Sequence, residues 1–127
     1  CMRAELGASV APRMPVQRVS RARGFGEKMP GPHKWLGGAT TADGTVLLGV
    51  PSNAERVVRV DLTTGAIELT AHAPRGRFKW LRGVRARDNS VYCIPACADA
   101  VLRIAADGSI TELGRGILPV GEWKWHG

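Results

Sequence analysis

The chain has 127 residues and a formal net charge of +7 at pH 7, with 44% hydrophobic and 6% aromatic residues. This length suits one ordinary domain, and no apolar run approaches the roughly 18 residues that a transmembrane segment needs. Three cysteines are too few for a disulfide framework. We therefore expect free thiols and an intracellular, reducing compartment, in the cytoplasm or an organelle.

Residues 1–18 are interpreted as an irregular basic segment. They contain Pro12 and Pro15 and show no match to the rest of the chain. Over residues 1–28, basic side chains outnumber glutamates, which accounts for more than half of the excess positive charge. Such an Arg-rich, acid-poor region is found in transit peptides, and it is also consistent with a basic subunit of an organellar complex.

A Lys-Trp pair recurs every 45 residues, at Trp35, Trp80 and Trp125. Tryptophan is rare, and a fixed period of this length indicates a repeat architecture. Between the pairs, apolar and polar residues alternate with a period of two, as in Val57–Asp61, which predicts strands. Pairs of residues that tolerate positive φ separate these runs and predict turns at Asp43-Gly44, Thr64-Gly65, Asp88-Asn89 and Asp107-Gly108.

We predict eight strands in two units. The first unit has strands at about 36–41, 46–50, 56–61 and 66–70, and the second at about 81–86, 91–94, 100–105 and 109–113. Four antiparallel strands in about 45 residues is the size of a β-propeller blade. The predicted fold is therefore all-β: a partial β-propeller with about two four-stranded antiparallel blades and fragments of neighbouring blades. The blade units cover about 34–78 and 79–123 within a propeller fragment of residues 19–127, and residues around 19–23 are interpreted as an outer strand of a preceding blade.

The order of motifs in each unit resembles a family of propeller repeats. Lys-Trp-x-Gly-Gly, Asp-Gly, an apolar strand ending in Pro, Val-x-Arg-Val-Asp and Thr-Gly together resemble a β-propeller repeat family of algal and protist proteins. The strand layout is also similar to YVTN and NHL-type propellers. The resemblance covers residues 34–127, and the second unit departs from it at Arg82 in place of Gly37 and at Cys97 in place of Asn53. It implies a fold and transfers no catalytic residue.

The three repeated tryptophans are expected to be structural. We expect each indole to pack between adjacent blades, with its N–H bonded to a neighbouring loop. An aromatic surface for a sugar or another ligand is the alternative. The lysine before each tryptophan is expected to face solvent or to stack on a neighbour.

The sequence predicts no catalytic, cofactor or metal site. It has no Gly-x-Ser-x-Gly elbow, no phosphate-binding glycine loop and no His-Glu-x-x-His. The aspartates are spread over different strand ends, which disfavours a calcium site. His33, His72 and His126 share no position in the repeat, and we expect each of them in a loop.

Basic residues cluster between positions 75 and 87. We predict that Arg77, Arg82, Arg85 and Arg87 bind an anionic partner surface, and alternation places Arg85 and Arg87 on one strand face. An acidic protein or an anionic lipid surface fits. Nucleic acid is possible but not favoured, because only Phe78 and Tyr92 lie nearby for base stacking.

These observations predict a non-catalytic β-propeller scaffold that mediates protein–protein interaction within a larger protein or assembly. Two blades cannot close a ring of four to eight, so their edges must meet other protein chains or missing blades of the same chain. One alternative is a propeller hydrolase of the lactonase kind with a channel-bound cation. Another is a basic peripheral subunit of an organellar complex.

Overall fold

The structure is a computed structural model that describes residues 31–126. These residues form eight strands and contain no helix. The strands are β1 Trp35–Thr40, β2 Val46–Pro51, β3 Arg56–Asp61, β4 Ile67–His72, β5 Trp80–Arg85, β6 Val91–Pro95, β7 Val101–Ile104 and β8 Ile110–Leu113. Within this range, no helix of the length and apolar character required to span a bilayer is found. The basic segment predicted for 1–18 and the strand predicted around 19–23 lie outside the described residues.

The strands form two antiparallel sheets in simple up-and-down order. One sheet has the order β1-β2-β3-β4 and the other β5-β6-β7-β8; we call them blade 1 and blade 2. All six pairings between neighbouring strands are antiparallel. This arrangement confirms the predicted all-β fold with two four-stranded blades, and the strand limits differ from the prediction by at most two residues.

The predicted turns are confirmed by backbone conformation. Gly44 has a φ of 74° and Asn89 a φ of 67°, at equivalent first hairpins of the two blades. Gly65 and Gly108, at the second hairpins, have φ values of 77° and 88°. Glycine and asparagine adopt this left-handed region at low cost, so these four residues fix where each strand reverses.

Strand register shows which residues of the two blades are equivalent. Gly38 pairs with Gly49 in blade 1, and Gly83 pairs with Cys93 in blade 2. The offset between blades is therefore 45 residues on the first strand and 44 on the second. Since side chains alternate across a strand, this register decides which face of each blade a residue occupies.

Each blade has two faces, which we name by direction along the chain. The forward face of blade 1 points toward blade 2 and carries Leu48, Val50 and Val57, all fully buried. The rear face of blade 2 points back toward blade 1 and carries Trp80, Val91, Cys93, Leu102 and Ile104, which join the same hydrophobic cluster. The main core of the described residues is therefore the junction between the two blades.

The two ends of the blades differ in their connections. At what we call the lysine end lie the connections that lead into β1 and β5 together with the β2–β3 and β6–β7 loops. At the opposite turn end lie the short hairpins β1–β2, β3–β4, β5–β6 and β7–β8. The six residues of β5 separate the two ends by roughly 17 Å at the usual rise of a strand.

Candidate functional site

The lysine of the second Lys-Trp pair, Lys79, joins blade 2 to blade 1. Lys79 is only 3% exposed, and its Nζ donates to the carbonyls of Ala54 at 2.9 Å and Gly76 at 3.1 Å. Its backbone N–H donates to Ser52 O at 3.3 Å. The prediction that these lysines face solvent or stack on a neighbour is wrong for Lys79, because its ammonium is the partner that carbonyls of blade 1 require.

The same arrangement recurs at the next Lys-Trp pair. Lys124 Nζ donates to Ala98 O and to Gly121 O, both at 2.7 Å, and its backbone N–H donates to Ala96 O at 2.9 Å. Every acceptor is the counterpart, one repeat later, of an acceptor of Lys79. Lys124 is therefore bonded to blade 2 in the way that Lys79 is bonded to blade 1.

Burial lowers the pKa of Lys79, because desolvation penalises the charged ammonium; the negative charge of Glu55 acts in the opposite direction. The carbonyl dipoles of Ala54 and Gly76 supply local compensation for the buried charge. Lys79 is thus a structural donor at the junction. The repeat spacing could have indicated this, since the lysine recurs as strictly as the tryptophan.

The repeated tryptophans share one hydrogen bond and differ in burial. Trp35 Nε1 donates to Arg56 O at 2.9 Å, and Trp80 Nε1 donates to Ala100 O at 2.8 Å, at equivalent places in the two blades. Trp80 is fully buried and Trp35 half-buried. Trp125 is 40% exposed. The burial of the three indoles differs because, among the described residues, only Trp80 has a complete blade packed on its indole.

Polar contacts close the junction at the turn end. Asp43 and Asn89 bind reciprocally: Asp43 N donates to Asn89 Oδ1 at 3.0 Å, and Asn89 Nδ2 donates to Asp43 Oδ2 at 2.9 Å. Farther out, Arg59 Nε donates to Ala106 O at 2.8 Å. These contacts join the first hairpins of both blades and hold β3 against the last hairpin of blade 2.

The turn aspartates are engaged as acceptors. The hydroxyl of Thr41, 2.6 Å from Asp43 Oδ1, is the largest cause that lowers the pKa of Asp43, followed by the backbone N–H of Thr45. Hydrogen bonds from Ser90 and Arg103 lower the pKa of Asp88 to about 2, with Ser90 the larger cause. A carboxylate that accepts several local donors stays ionised and shapes its turn.

Two blade faces have no blade packed on them among the described residues. The rear face of blade 1 carries Trp35, Leu47, Val58 and Val60, and the forward face of blade 2 carries Tyr92, Ile94, Val101 and Arg103, all half-buried. At the margin of the second face, Val84 is 60% exposed and Leu113 40%. Both faces are apolar surfaces of the kind that the blade 1–blade 2 junction buries.

The structure separates the arginines that the sequence grouped. Arg77 lies in the β4–β5 connection at the lysine end, Arg82 on β5, and Arg85 at the far end of that strand. Arg87 lies in the β5–β6 turn, so the prediction that it shares a strand face with Arg85 is wrong, because β5 ends one residue before Ala86. All four side chains are exposed. Arg82, Arg85 and Arg87 lie on β5 or at the turn end, whereas Arg77 lies at the lysine end.

An aromatic row that sequence analysis missed crosses the lysine end. The residue before each lysine of the repeat is His33, Phe78 or Trp123. The ring centroids of His33 and Phe78 are 5.6 Å apart, those of Phe78 and Trp123 5.0 Å, and those of Trp123 and His126 5.4 Å. The 45-residue spacing of these three residues could have predicted the row. The spacing is hard to recognise because the three residues are of different types.

His72 lies outside the aromatic row. His72 is the last residue of β4 and is exposed, so the prediction that it lies in a loop is wrong. Strand β4 runs two residues farther than predicted, pairing Arg56 with His72. No described contact brings His72 to the other histidines.

A cavity of about 340 Å³ lies at the lysine end, between the β4–β5 connection and blade 2. Trp80 and Lys79 form part of its inner wall, and charged side chains of both signs surround it. Its remaining lining residues are Pro74, Arg75, Gly76, Arg77, Cys97, Ala98, Asp99, Glu112, Arg115 and Glu122. Two of these arginines are paired, Arg75 with Glu55 at 3.5 Å and Arg115 with Glu112 at 2.7 Å.

The two cysteines within residues 31–126 differ in burial. Cys93 is buried in the junction and Cys97 half-buried at the lysine end, and both are free thiols. Burial raises the pKa of the Cys93 thiol to about 12. Within residues 31–126, no three His, Cys, Asp or Glu side chains come together in a way that could hold a metal ion.

Comparison with known proteins supports the fold. The chain is similar to the crystal structure of selenomethionine-substituted virginiamycin B lyase from Staphylococcus aureus, with a TM-score of 0.52 and 22% identity. The match covers 66% of this chain and 28% of that chain. This likeness supports a β-propeller relationship at the level of the fold. No protein-family model and no curated protein matches the chain, so the resemblance to the algal and protist repeat family stays a prediction.

Proposed function

We propose that this chain is a non-catalytic β-propeller scaffold, and that its two uncovered blade faces bind further blades of the same or another chain. The observation that supports this is the junction between blades 1 and 2. This junction is an example of such a contact within the molecule. Apolar faces lie in its middle, a lysine lies at one end, and a carboxylate–amide pair lies at the other.

The forward face of blade 2 has the chemistry to repeat that contact. Arg103 is the counterpart of Arg59, which reaches across the junction to a carbonyl of the next blade. In blade 2 the Arg103 side chain instead binds Asp88 of its own blade at 3.1 Å. A blade that docks on this face could therefore accept a hydrogen bond from Arg103. Its apolar surface would cover Ile94 and Val101, which are half-buried.

Lys124 supports the same proposal. Its hydrogen bonds to Ala96 and Ala98 reproduce those of Lys79, and Trp125 follows it as Trp80 follows Lys79. Blade 2 therefore presents to a next blade the same backbone acceptors that blade 1 presents to blade 2. By the repeat, Trp125 belongs to the first strand of that next blade, and blade 2 would cover it as blade 1 covers Trp80, burying the largest apolar side chain of the repeat.

Self-association tests this proposal, since every copy has both a forward and a rear face. We expect the full chain to associate head to tail in sedimentation velocity as its concentration rises. Val101→Asp should suppress the association by placing an unpaired charge in the contact. Thr64→Asp, in an exposed turn, is the matched control. A chain that stays monomeric at all concentrations, or that associates equally as Val101→Asp, would argue against the blade-docking role.

The exposed arginines belong to a second part of the proposal. Arg82, Arg85 and Arg87 give blade 2 a positive surface that faces an acidic protein partner. Binding to poly-glutamate, used as a surrogate, should weaken as salt rises past about 0.15 M, where the Debye length is about 8 Å. The Arg85→Glu/Arg87→Glu double variant should bind more weakly. Binding that is insensitive to both changes would refute the electrostatic part and leave face docking intact.

The enzymatic alternative has less support. The similar protein of known structure, virginiamycin B lyase, is an enzyme by name, but at 22% identity the likeness concerns the fold alone. A channel-bound cation would need convergent carboxylates. The turn aspartates Asp43 and Asp88 are instead committed to local donors. The described residues therefore favour the scaffold over a lactonase-like hydrolase.

A further inference from the structure

The aromatic row at the lysine end is made of residues that the repeat places one blade apart. His33, Phe78 and Trp123 each precede a Lys-Trp pair, and His126 extends the row. The first two ring pairs are tilted by 42° and 37°, and Trp123 and His126 are stacked at 22°. Four rings, three of them from successive repeats, thus form one continuous series of contacts at the lysine end.

The backbone holds these rings in an unfavourable conformation. His33, Phe78 and Trp123 have φ values of 53°, 49° and 52°, where bulky L-residues are rarely found. Among the described residues, the one other non-glycine with positive φ is Asn89, in a hairpin. Strain of this kind, repeated in three successive units, persists only where surrounding contacts enforce it.

Specific hydrogen bonds enforce it at the first two positions. The N–H of Asn53 donates to His33 O at 3.0 Å, and its side-chain oxygen accepts the N–H of Phe78 at 2.7 Å. The N–H of Cys97 donates to Phe78 O at 3.1 Å. Hydrogen bonds with the β2–β3 and β6–β7 loops therefore fix the backbone that carries the His33 and Phe78 rings, independently of the apolar core.

The row remains open to solvent. His33 is exposed, Phe78 is half-buried, and Trp123 is 46% exposed although indole is among the largest apolar side chains. A row of packed rings that served only to bury apolar area would be covered. Aromatic rings that contact one another and stay partly exposed are instead suited to stacking planar groups of a ligand.

One cation accompanies the rings. The Arg77 guanidinium lies 5.7 Å from the Phe78 ring centroid, and no ion pair within residues 31–126 engages it. Arg77 is thus a planar donor beside a ring, suited to phosphate. The nearby carboxylates Asp99 and Glu122 keep the end of the blades from being strongly basic.

We propose that the aromatic row formed by His33, Phe78, Trp123 and His126 binds single-stranded nucleic acid. Bases stack on the exposed rings, and Arg77 meets a phosphate. Stacking on aromatic side chains next to arginine is how proteins bind single strands without reading their sequence. The sequence disfavoured nucleic acid because it lacked interleaved aromatic residues; the fold supplies them by bringing positions one repeat apart into contact. This site is separate from the blade faces and goes beyond the scaffold role.

The test is fluorescence anisotropy of the full chain with labelled oligo-uridine and oligo-thymidine, compared with a duplex of the same length. The single strands should bind better than the duplex. Trp123→Ala should weaken single-strand binding by about 5- to 150-fold, the effect of removing one stacked base contact. Phe78→Leu, which keeps an apolar side chain of similar volume and removes the ring, should also weaken it.

Two variants serve as matched controls. Trp125→Ala removes a similarly exposed tryptophan outside the row, and Thr64→Asp adds a negative charge in an exposed turn at the turn end; both should leave the affinity within about twofold. Because stacking rather than phosphate neutralisation dominates, the affinity should fall less steeply with salt than for a basic groove.

Three results would overturn the proposal. One is wild-type affinity in Trp123→Ala and in Phe78→Leu. A second is a loss of affinity in the Arg85→Glu/Arg87→Glu variant with none in the ring variants, which would assign binding to non-specific charge. The third is binding of a neutral oligosaccharide such as cellohexaose, lost in Trp123→Ala, with no binding of oligonucleotides. None of these depends on whether the chain self-associates through its blade faces.

Discussion

The closed junction between the blades and the open forward face of blade 2 contain equivalent residues in different environments. Val50 and Val57 are fully buried, whereas their counterparts Ile94 and Val101 are half-buried. Trp80 is fully buried, and Trp125 is 40% exposed. The repeat therefore decides which residues form a face, and the presence of a neighbouring blade decides whether that face becomes a core.

The largest expected effect is the loss of Trp80. Trp80→Ala should lower the free energy of unfolding by about 3–5 kcal/mol, because it removes a large buried aromatic side chain and leaves a cavity between the blades. Urea denaturation followed by circular dichroism measures the change. Trp125→Ala should cost far less, and equal losses at the two positions would show that burial at the junction is not what distinguishes them.

Lys79 is the next test of the junction. Lys79→Met should cost about 1.5–3 kcal/mol, because the carbonyls of Ala54 and Gly76 lose a charged donor while the apolar stem is preserved. Thermal or urea unfolding checks this. Lys34→Met, at the half-buried counterpart in blade 1, should cost less. A stabilised Lys79→Met variant would mean that desolvation of the ammonium outweighs its hydrogen bonds.

The first strands of the two blades, β1 and β5, offer a backbone test of the same comparison. A Cβ at Gly37 would lie 2.5 Å from the carbonyl oxygen of Leu81 in the next blade, so Gly37→Ala should cost about 1–3 kcal/mol through overpacking. Arg82 is the counterpart in blade 2 and is exposed. Arg82→Ala should change stability by less than about 0.5 kcal/mol. Equal effects at the two positions in urea unfolding would contradict the close approach of β5 to β1.

The smallest effect is a pH dependence centred on Cys93. Burial raises the pKa of this thiol from 9.0 to about 12, so the unfolded chain loses the proton at lower pH than the folded chain. The contribution of Cys93 to stability is complete below the unfolded pKa and is lost as pH rises from about 9 toward 12. By about pH 10 the loss should be about 1.4 kcal/mol.

A matched variant isolates this contribution. Cys93→Ala lowers stability at every pH by removing buried volume, but it should flatten the alkaline part of the profile. Subtracting the two profiles cancels the other titrating groups, including Lys79. Parallel profiles between about pH 7 and 10 would indicate that the Cys93 thiol is not shielded by the junction.

Local pattern was enough to predict the strands and turns. Alternation in segments such as Val57–Asp61 and the turn chemistry of Asp43-Gly44 act over neighbouring residues, and they locate each strand within two residues. The candidate site was harder to predict. The arginine cluster was grouped by closeness in sequence, but β5 separates Arg77 from Arg85 along its length.

The sequence by itself determined the period, the strand count and the propeller class, because a 45-residue repeat and period-two alternation act through local backbone preference and side-chain direction. Only the tertiary structure decided that Lys79 is a buried donor, that Trp80 and Trp35 differ in burial, and that His33, Phe78 and Trp123 form a row. The physical reason is that each of these depends on how one blade packs against the next. That packing joins residues about one repeat apart, a distance over which local propensity has no influence.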